Sequence, residues 1–258
     1  MNVRLGYISD CHLEFAKRSF HVPDGLDILI LAGDTHRSPG DSRKAMLELR
    51  EQTELPIVYV CGNHEFYGKT FPNGYKRYKK LLSQVPDLYV LEKDIVIIKG
   101  VRILGTTLWS DLSNPIDELC AQLSMNDYNF IQNPEHNTKK ITPKDTTTAF
   151  KENKDWLISV LEKGFKGPTI VVTHHIPTFQ VVDFKFRNDP VTPAYASNLD
   201  DILVTFAPDV WIYGHSHSGL SMRIAQTEVI TNPIGYPHEG GGNPMKFKEF
   251  DLVKEDKK

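Results

Sequence analysis

The sequence lacks the features that mark secreted, membrane-spanning and strongly basic proteins. Only three of its 258 residues are cysteines, and this odd, sparse count favours a reducing compartment over a disulfide framework. The first residues lack the apolar core of a signal peptide, and no apolar run reaches the roughly 18 residues of a membrane span. Lysine and arginine total 30 against 33 acidic residues, a net charge of −3. We therefore expect a cytoplasmic protein that does not bind membranes, with nucleic acid a disfavoured partner.

The remaining composition is that of an ordinary globular chain with ten histidines. Its length is sufficient for a sizeable core, and we predict a single domain over residues 1–258 with a surface insert at about 112–144. That stretch is polar, contains three prolines and lies between two predicted strands. It is either a lid or substrate-contacting segment, or a plain surface loop.

Short apolar runs alternate with amphipathic ones along the chain, which indicates an α/β layered fold. The apolar runs end in turn residues and are rich in β-branched side chains, so they predict buried strands. These strands cover residues 3–9, 27–32, 57–61, 102–107, 169–173, 210–213 and 228–231. Helices are predicted over residues 42–52, 76–85, 145–163 and 197–206, with Ser42 and Ser197 as N-caps.

Five of the predicted strands are followed directly by polar side chains that can bind metals. These are Asp10 and His12, then Asp34, then Asn63 with His64 and Glu65, then His174 with His175, and finally His215 with His217. Each piece alone is a common turn sequence. Because the carboxyl ends of strands in open α/β sheets are where ligands bind, all five together predict one site.

The ligand types indicate a pair of divalent metal ions. Imidazole, carboxylate and amide ligands suit manganese best here, with iron, zinc or nickel as alternatives. Two such ions roughly 3.5–4 Å apart are typical of displacement at phosphorus. Seven residues fill eight coordination positions if Asp34 bridges both ions: Asp10, His12, Asp34, Asn63, His174, His215 and His217.

These segments resemble the five sequence blocks of the calcineurin-like metallophosphoesterases, which include the Ser/Thr protein phosphatases. The blocks are Asp10-Cys11-His12, Gly33-Asp34, Gly62-Asn63-His64-Glu65, Thr173-His174-His175 and Gly214-His215-Ser216-His217. The resemblance implies a four-layer α/β fold, in which two mixed β-sheets stack as a sandwich with helices outside.

The resemblance also implies roles for individual residues. Asp10, His12, Asp34 and His217 would hold one ion, and Asp34, Asn63, His174 and His215 would hold the other. His64 would be the catalytic histidine that faces the scissile phosphate. The protein phosphatases carry a second aspartate after their Gly-Asp block to orient this histidine, but Thr35-His36-Arg37 follows here. The partner of His64 is therefore open, with Glu65 adjacent to it in sequence.

The implied activity is a metal-dependent phosphoesterase, acting on phosphodiesters or phosphomonoesters. A hydroxide bridging the metals would be the nucleophile, because divalent ions lower the pKa of bound water. His64 would protonate the leaving group or donate a hydrogen bond. Candidate substrate contacts are His36, Arg37, His175 and Tyr195. The alternatives are a non-catalytic metal-binding scaffold of the same fold, or a nuclease.

Overall fold

The computed structural model describes residues 2–112 and 114–253 and contains strands and helices in alternation. The strands are β1 (Asn2–Ile8), β2 (Phe20–His21), β3 (Ile28–Ala32), β4 (Ile57–Val60), β5 (Leu88–Leu91), β6 (Asp94–Ile98), β7 (Val101–Thr106), β8 (Thr169–Thr173), β9 (Val210–Tyr213), β10 (Met222–Ile224), β11 (Thr227–Thr231), β12 (Met245–Lys246) and β13 (Lys248–Val253). The α-helices are α1 (Pro39–Arg50), α2 (Tyr75–Leu82), α3 (Pro115–Ser124), α4 (Asp127–Phe130), α5 (Pro143–Leu161) and α6 (Asp200–Phe206).

Two mixed sheets form the centre of the molecule. The first has the strand order β13-β1-β3-β4-β5, with β13 antiparallel to the parallel strands. The second has the order β10-β11-β9-β8-β7-β6, in which the four inner strands are parallel and both edge strands antiparallel. The parallel strands of each sheet therefore end at a common edge, which is where the polar residues follow.

The two sheets stack because their strands are apolar on both faces. In β3, Ile28 and Ile30 pack in the core between the sheets, and Leu29 packs in the cluster on the opposite side. Gly105 of β7 brings the sheets close together, since a Cβ there would lie 2.4 Å from the Leu91 side chain. The α/β sandwich that the resemblance implied is thus confirmed.

Helices cover the outer faces of both sheets. Met46 of α1 and Leu157 of α5 are fully buried in the outer cluster. Helix α1 begins at Pro39, three residues before the predicted cap, because Ser38 accepts a hydrogen bond from the Asp41 N–H and proline suits the first helical position. No helix within residues 2–112 and 114–253 has the length and apolar character needed to cross a membrane.

Residues 114–144 contain the helices α3 and α4, where the sequence predicted a polar excursion. Asn114 caps α3 by accepting hydrogen bonds from the N–H groups of Ile116 and Asp117. Beyond it, Asp127, Tyr128 and Ile131 are buried. This segment therefore packs onto the sheets, and Ser124–Asn126 reach the edge where the strands end.

Candidate metal centre and cleft

The structure brings all seven predicted ligands together at the carboxyl ends of five strands. Three of these strands, β1, β3 and β4, belong to one sheet, and β8 and β9 belong to the other. Six of the seven residues are buried, and His217 is half-buried. The site therefore spans the open edge of the sandwich and draws on both sheets.

The backbone at this edge adopts a conformation that side chains disfavour. Four of the seven residues have positive φ angles: Asp10 (52°), His12 (44°), Asp34 (53°) and His215 (68°). Such left-handed residues persist only where the surrounding structure holds them, and they cluster at functional sites.

Two glycines allow the loops at this edge to approach each other. A Cβ on Gly33 would lie 2.2 Å from His174 Nδ1, and a Cβ on Gly62 would lie 2.2 Å from Asp34 Oδ1. Real side chains cannot approach this closely. The Gly33-Asp34 and Gly62-Asn63 pairs therefore need glycine for packing.

Asp34 lies at the centre of the cluster. Its Oδ2 is 3.7 Å from His12 Nε2, 3.5 Å from His174 Nε2 and 3.9 Å from His64 Nε2. Its Oδ1 accepts a hydrogen bond from the His64 N–H. Burial works to raise the pKa of Asp34, and the charges of the surrounding histidines outweigh this and lower the pKa well below its usual value. Asp34 is thus held as a carboxylate between two groups of imidazoles.

Two groups of potential ligands flank Asp34. On one side, Asp10, His12 and His217 have ligand atoms within 4.8 Å of one another, and the Nε2 atoms of the two histidines are 3.0 Å apart. On the other side, Asp34, His174 and His215 form an equally close group. The Oδ1 atom of Asn63 joins that group at 3.0 Å from His174 Nε2.

Fixed partners orient these imidazoles towards the centre. His174 donates from Nδ1 to the Ala32 carbonyl at 2.9 Å, which turns its Nε2 towards Asp34 and Asn63. His217 Nδ1 pairs with Glu239 Oε2 at 2.6 Å in the same way. The buried Nε2 of His215 has no hydrogen-bond partner among the described residues. A divalent cation would satisfy this atom, so the donor set fits the metal ions that the family resemblance implies.

His64 is held by Glu14, a residue that the sequence analysis missed. Glu14 Oε1 is 2.7 Å from His64 Nδ1, and the Tyr236 hydroxyl is 3.3 Å from His64 Nε2. Burial works to lower the pKa of His64, but the carboxylates of Asp34 and Glu14 outweigh it and raise the pKa to about 9. Glu14 is therefore the partner of His64 that the sequence analysis left open.

Glu65, the alternative partner, points away from His64 and holds the site loops together. Its buried carboxylate accepts hydrogen bonds from the backbone N–H groups of Asp34, Thr35 and Gly62, and from the Tyr59 hydroxyl at 2.7 Å. Because all of these donors face one carboxylate, Glu65 fixes the position of two loops relative to each other.

Asp127, from the segment predicted as an insert, contacts the centre directly. Asn63 donates from Nδ2 to Asp127 Oδ1 at 2.7 Å, and the Tyr67 hydroxyl donates to the same oxygen at 3.0 Å. This contact fixes the Asn63 amide, because only its nitrogen can donate. The Asn63 oxygen is consequently turned towards His174.

The four predicted substrate contacts have different surroundings. Tyr195 lines the cleft, with its ring centroid 4.7 Å from that of His215. His175 is buried behind His215 and donates from Nδ1 to the Thr107 carbonyl, and burial lowers its pKa to about 3. His36 accepts from the Ser38 N–H, and Arg37 is exposed; neither belongs to the described lining of the cleft.

A cavity of about 630 Å³ opens above the cluster. Its floor consists of Asp34, Asn63, His64, His215 and His217, with Tyr67, Tyr236 and Glu239 beside them. Its walls are formed by residues 124–126 and by parts of residues 176–195. We refer below to these two parts as the floor and the walls.

Sequence reasoning could have found Glu14 but not the more distant partners. Glu14 lies only two residues after His12, so a search for acidic residues next to the first block would have included it. Nothing comparable links Asp127 to Asn63, or Tyr236 and Glu239 to the histidines that they contact. Those contacts depend on the complete fold.

Comparison with known proteins agrees with the fold described above. The family model of the calcineurin-like phosphoesterases matches residues 3–219. A relative from Acanthamoeba polyphaga mimivirus, uncharacterized protein L509, is 28% identical over 278 residues, covering 96% of this chain and 97% of that protein.

Solved structures share the fold at low sequence identity. The phosphopantetheinyl hydrolase PptH of Mycobacterium tuberculosis superposes with a TM-score of 0.72 at 17% identity, covering 92% of this chain and 91% of that one. A dimetal phosphatase from Danio rerio superposes with a TM-score of 0.50 at 14% identity, covering 89% and 87%.

Proposed function

The chain belongs to the calcineurin-like phosphoesterases and is a metal-dependent phosphoester hydrolase, and we propose that it cleaves a small phosphate monoester or diester with two divalent ions. The observation that carries this proposal is the position of Asp34. One of its oxygens lies within 3.7 Å of Nε2 atoms from two separate histidine groups. A carboxylate placed in this way is suited to bridging two metals.

The proposed ligand sets follow the two groups. Asp10, His12 and His217 hold the first ion, Asn63, His174 and His215 hold the second, and Asp34 contacts both. These nitrogen and oxygen donors suit manganese, with iron, zinc and nickel as the other candidates. When bound, the ions supply the charge that acidifies an attacking water molecule and neutralises the phosphate oxygens.

The protein's own groups prepare the leaving side of the reaction. Glu14 holds His64 through Nδ1, so the protonated ring directs its Nε2–H into the cleft. His64 is thus placed to give a proton to the departing alkoxide, which is worth about 10²–10⁴-fold in rate. The Tyr236 hydroxyl, 3.3 Å from the same nitrogen, limits the rotation of the ring.

Metal content and turnover test the dinuclear site together. Purified protein stripped of metal and reloaded with Mn²⁺, Zn²⁺, Ni²⁺ or Mg²⁺ is expected to bind two ions for each chain and to hydrolyse p-nitrophenyl phosphate or bis-p-nitrophenyl phosphate. Asp34→Asn should lose both ions and activity, whereas Asp155→Asn, on the exposed face of α5, should retain both. Two bound ions without turnover of either substrate would favour a non-catalytic scaffold, and a single bound ion would contradict the proposal.

The role of His64 is tested by the leaving group. His64→Gln is expected to slow hydrolysis of an alkyl phosphate about 10²-fold or more, but to slow an aryl phosphate far less, because its leaving group needs little protonation. Glu14→Gln should give the same selectivity with a smaller loss, since the amide still accepts from Nδ1. Equal losses on both substrates would exclude the proton-donor role.

A further inference from the structure

The cavity is much larger than a phosphate group. At water's share of about 30 Å³ for each non-hydrogen atom, its volume of about 630 Å³ holds about 20 such atoms. A phosphate on the floor would fill only about a quarter of this space. The remaining volume lies between the walls, and it is available to the organic part of a substrate.

The walls bring apolar side chains to this remaining volume. They are Met125, Ile176, Val182, Phe186 and Val191, which alternate with polar residues such as Ser124, Asn126 and Thr192. Three of these are almost fully buried, with exposures of 8% for Met125, 1% for Ile176 and 3% for Val182. Phe186 is 42% exposed, so this lining residue also faces solvent.

The walls offer little positive charge. The described lining residues include no arginine and one lysine, Lys185. Its Nζ is already 3.6 Å from Asp183 Oδ2 and 4.8 Å from the centroid of the Phe186 ring, and its side chain is 59% exposed. Asp189 adds a negative charge to the same wall. A second phosphate or a polynucleotide backbone would therefore find no cluster of cationic partners beyond the floor.

We propose that the cavity between the walls selects a phosphoester whose organic group is uncharged and largely apolar, of about 10–15 non-hydrogen atoms. This inference rests on the proposed function, because the phosphate must lie on the floor. The phosphate occupies the floor next to Asp34 and His64. The organic group extends along the side chains of Met125, Val182 and Phe186, where it displaces water from apolar surface.

A series of substrates with alkyl chains of increasing length measures this apolar specificity directly. Monoalkyl phosphates from butyl to decyl share nearly the same leaving-group chemistry, so only contacts with the walls distinguish them. A matching series of alkyl p-nitrophenyl diesters serves if the protein prefers diesters. We expect kcat/KM to rise by about fourfold for each methylene that becomes buried, until the cavity is full.

A pair of neighbouring phenylalanines provides the matched variants. Phe186→Ala removes an aromatic ring from the cavity lining and should reduce the octyl-to-butyl ratio of kcat/KM about tenfold. Phe184→Ala is the control, because this ring is 73% exposed, contacts the Arg187 guanidinium and lies outside the cavity lining. Both residues belong to the same short 3₁₀ turn, Phe184–Phe186, so damage to the turn would affect both variants equally.

The outcomes separate this inference from the proposed function. Absence of turnover on every ester, with metals bound, would contradict the proposed function. Turnover that does not change from butyl to decyl, or equal losses in the two variants, would overturn only the apolar specificity. A higher kcat/KM for adenosine monophosphate or a single-stranded oligonucleotide than for octyl phosphate would overturn it as well.

Discussion

The floor and the walls of the cavity are built in different ways. On the floor, Asp34 and Asn63 are buried and fixed by hydrogen bonds with residues from other segments, His64 and Asp127. On the walls, Lys185 and Asp189 are exposed, and the hydrogen bonds there are local, such as that from the Lys185 N–H to Asp183. The floor residues are thus held in one geometry, whereas the exposed part of the walls around Lys185 and Asp189 can change residues without disturbing it.

The largest effect is expected where two floor loops meet. In Gly62→Ala, the new methyl group would lie 2.2 Å from Asp34 Oδ1 and 2.7 Å from His174 Cε1. We expect a loss of about 3 kcal/mol in the free energy of unfolding, together with loss of bound metal. Chemical denaturation and metal analysis measure the two quantities. Gly40→Ala, where the nearest atom is 3.9 Å away, should leave both unchanged, and a stable, fully metallated Gly62→Ala protein would show that the floor is adaptable.

The next effect concerns the carboxylate that joins these loops. Glu65→Gln keeps the shape of the side chain but turns an NH₂ group towards backbone donors that need an acceptor. The unfolding free energy should fall by about 2 kcal/mol, as measured by denaturation of the metal-free protein. Glu51→Gln, on the surface, is the matched control. Equal free energies of unfolding for the two variants would mean that the loops hold their positions without the Glu65 carboxylate.

A smaller effect is expected at the link between walls and floor. Asp127→Ala frees the Asn63 amide to rotate, so we expect a 10–100-fold loss in kcat or in metal affinity with little loss of folding. Asp127→Asn should recover most of it, because its amide oxygen still accepts from Asn63. Steady-state kinetics and metal titration provide the measurement. If Asp127→Asn recovers no more kcat or metal affinity than Asp127→Ala retains, the carboxylate charge matters more than the orientation of Asn63.

The smallest effect is expected on the outer surface beside the walls. Leu123 of α3 is 77% exposed, so Leu123→Gln should change the free energy of unfolding by less than about 0.5 kcal/mol. Thermal unfolding and turnover of p-nitrophenyl phosphate would measure this. A large loss would show that the walls are as constrained as the floor.

The difference between local and long-range contacts also decides how much of the fold and of the site could be predicted from the sequence. The residues at the strand ends, such as Asp34 and His174, follow apolar runs directly, so strand prediction alone brings them to one edge. The start of α1 was misplaced because Ser42 and Ser38 both resemble caps, and only Ser38 is followed by proline. Asp127 and Glu239 contact residues 63 and 217 through the fold, and no local pattern encodes such a contact.

The left-handed backbone at Asp10, His12, Asp34 and His215 has a consequence for protein engineering. Each of these residues costs roughly 1–2 kcal/mol relative to a relaxed conformation, and glycine would remove that cost. A designer who wanted only the scaffold could therefore substitute glycine at these positions, which would remove the metal-binding side chains and raise the thermal stability of the fold. The native residues are explained by what their side chains do, since the backbone alone would favour glycine at all four.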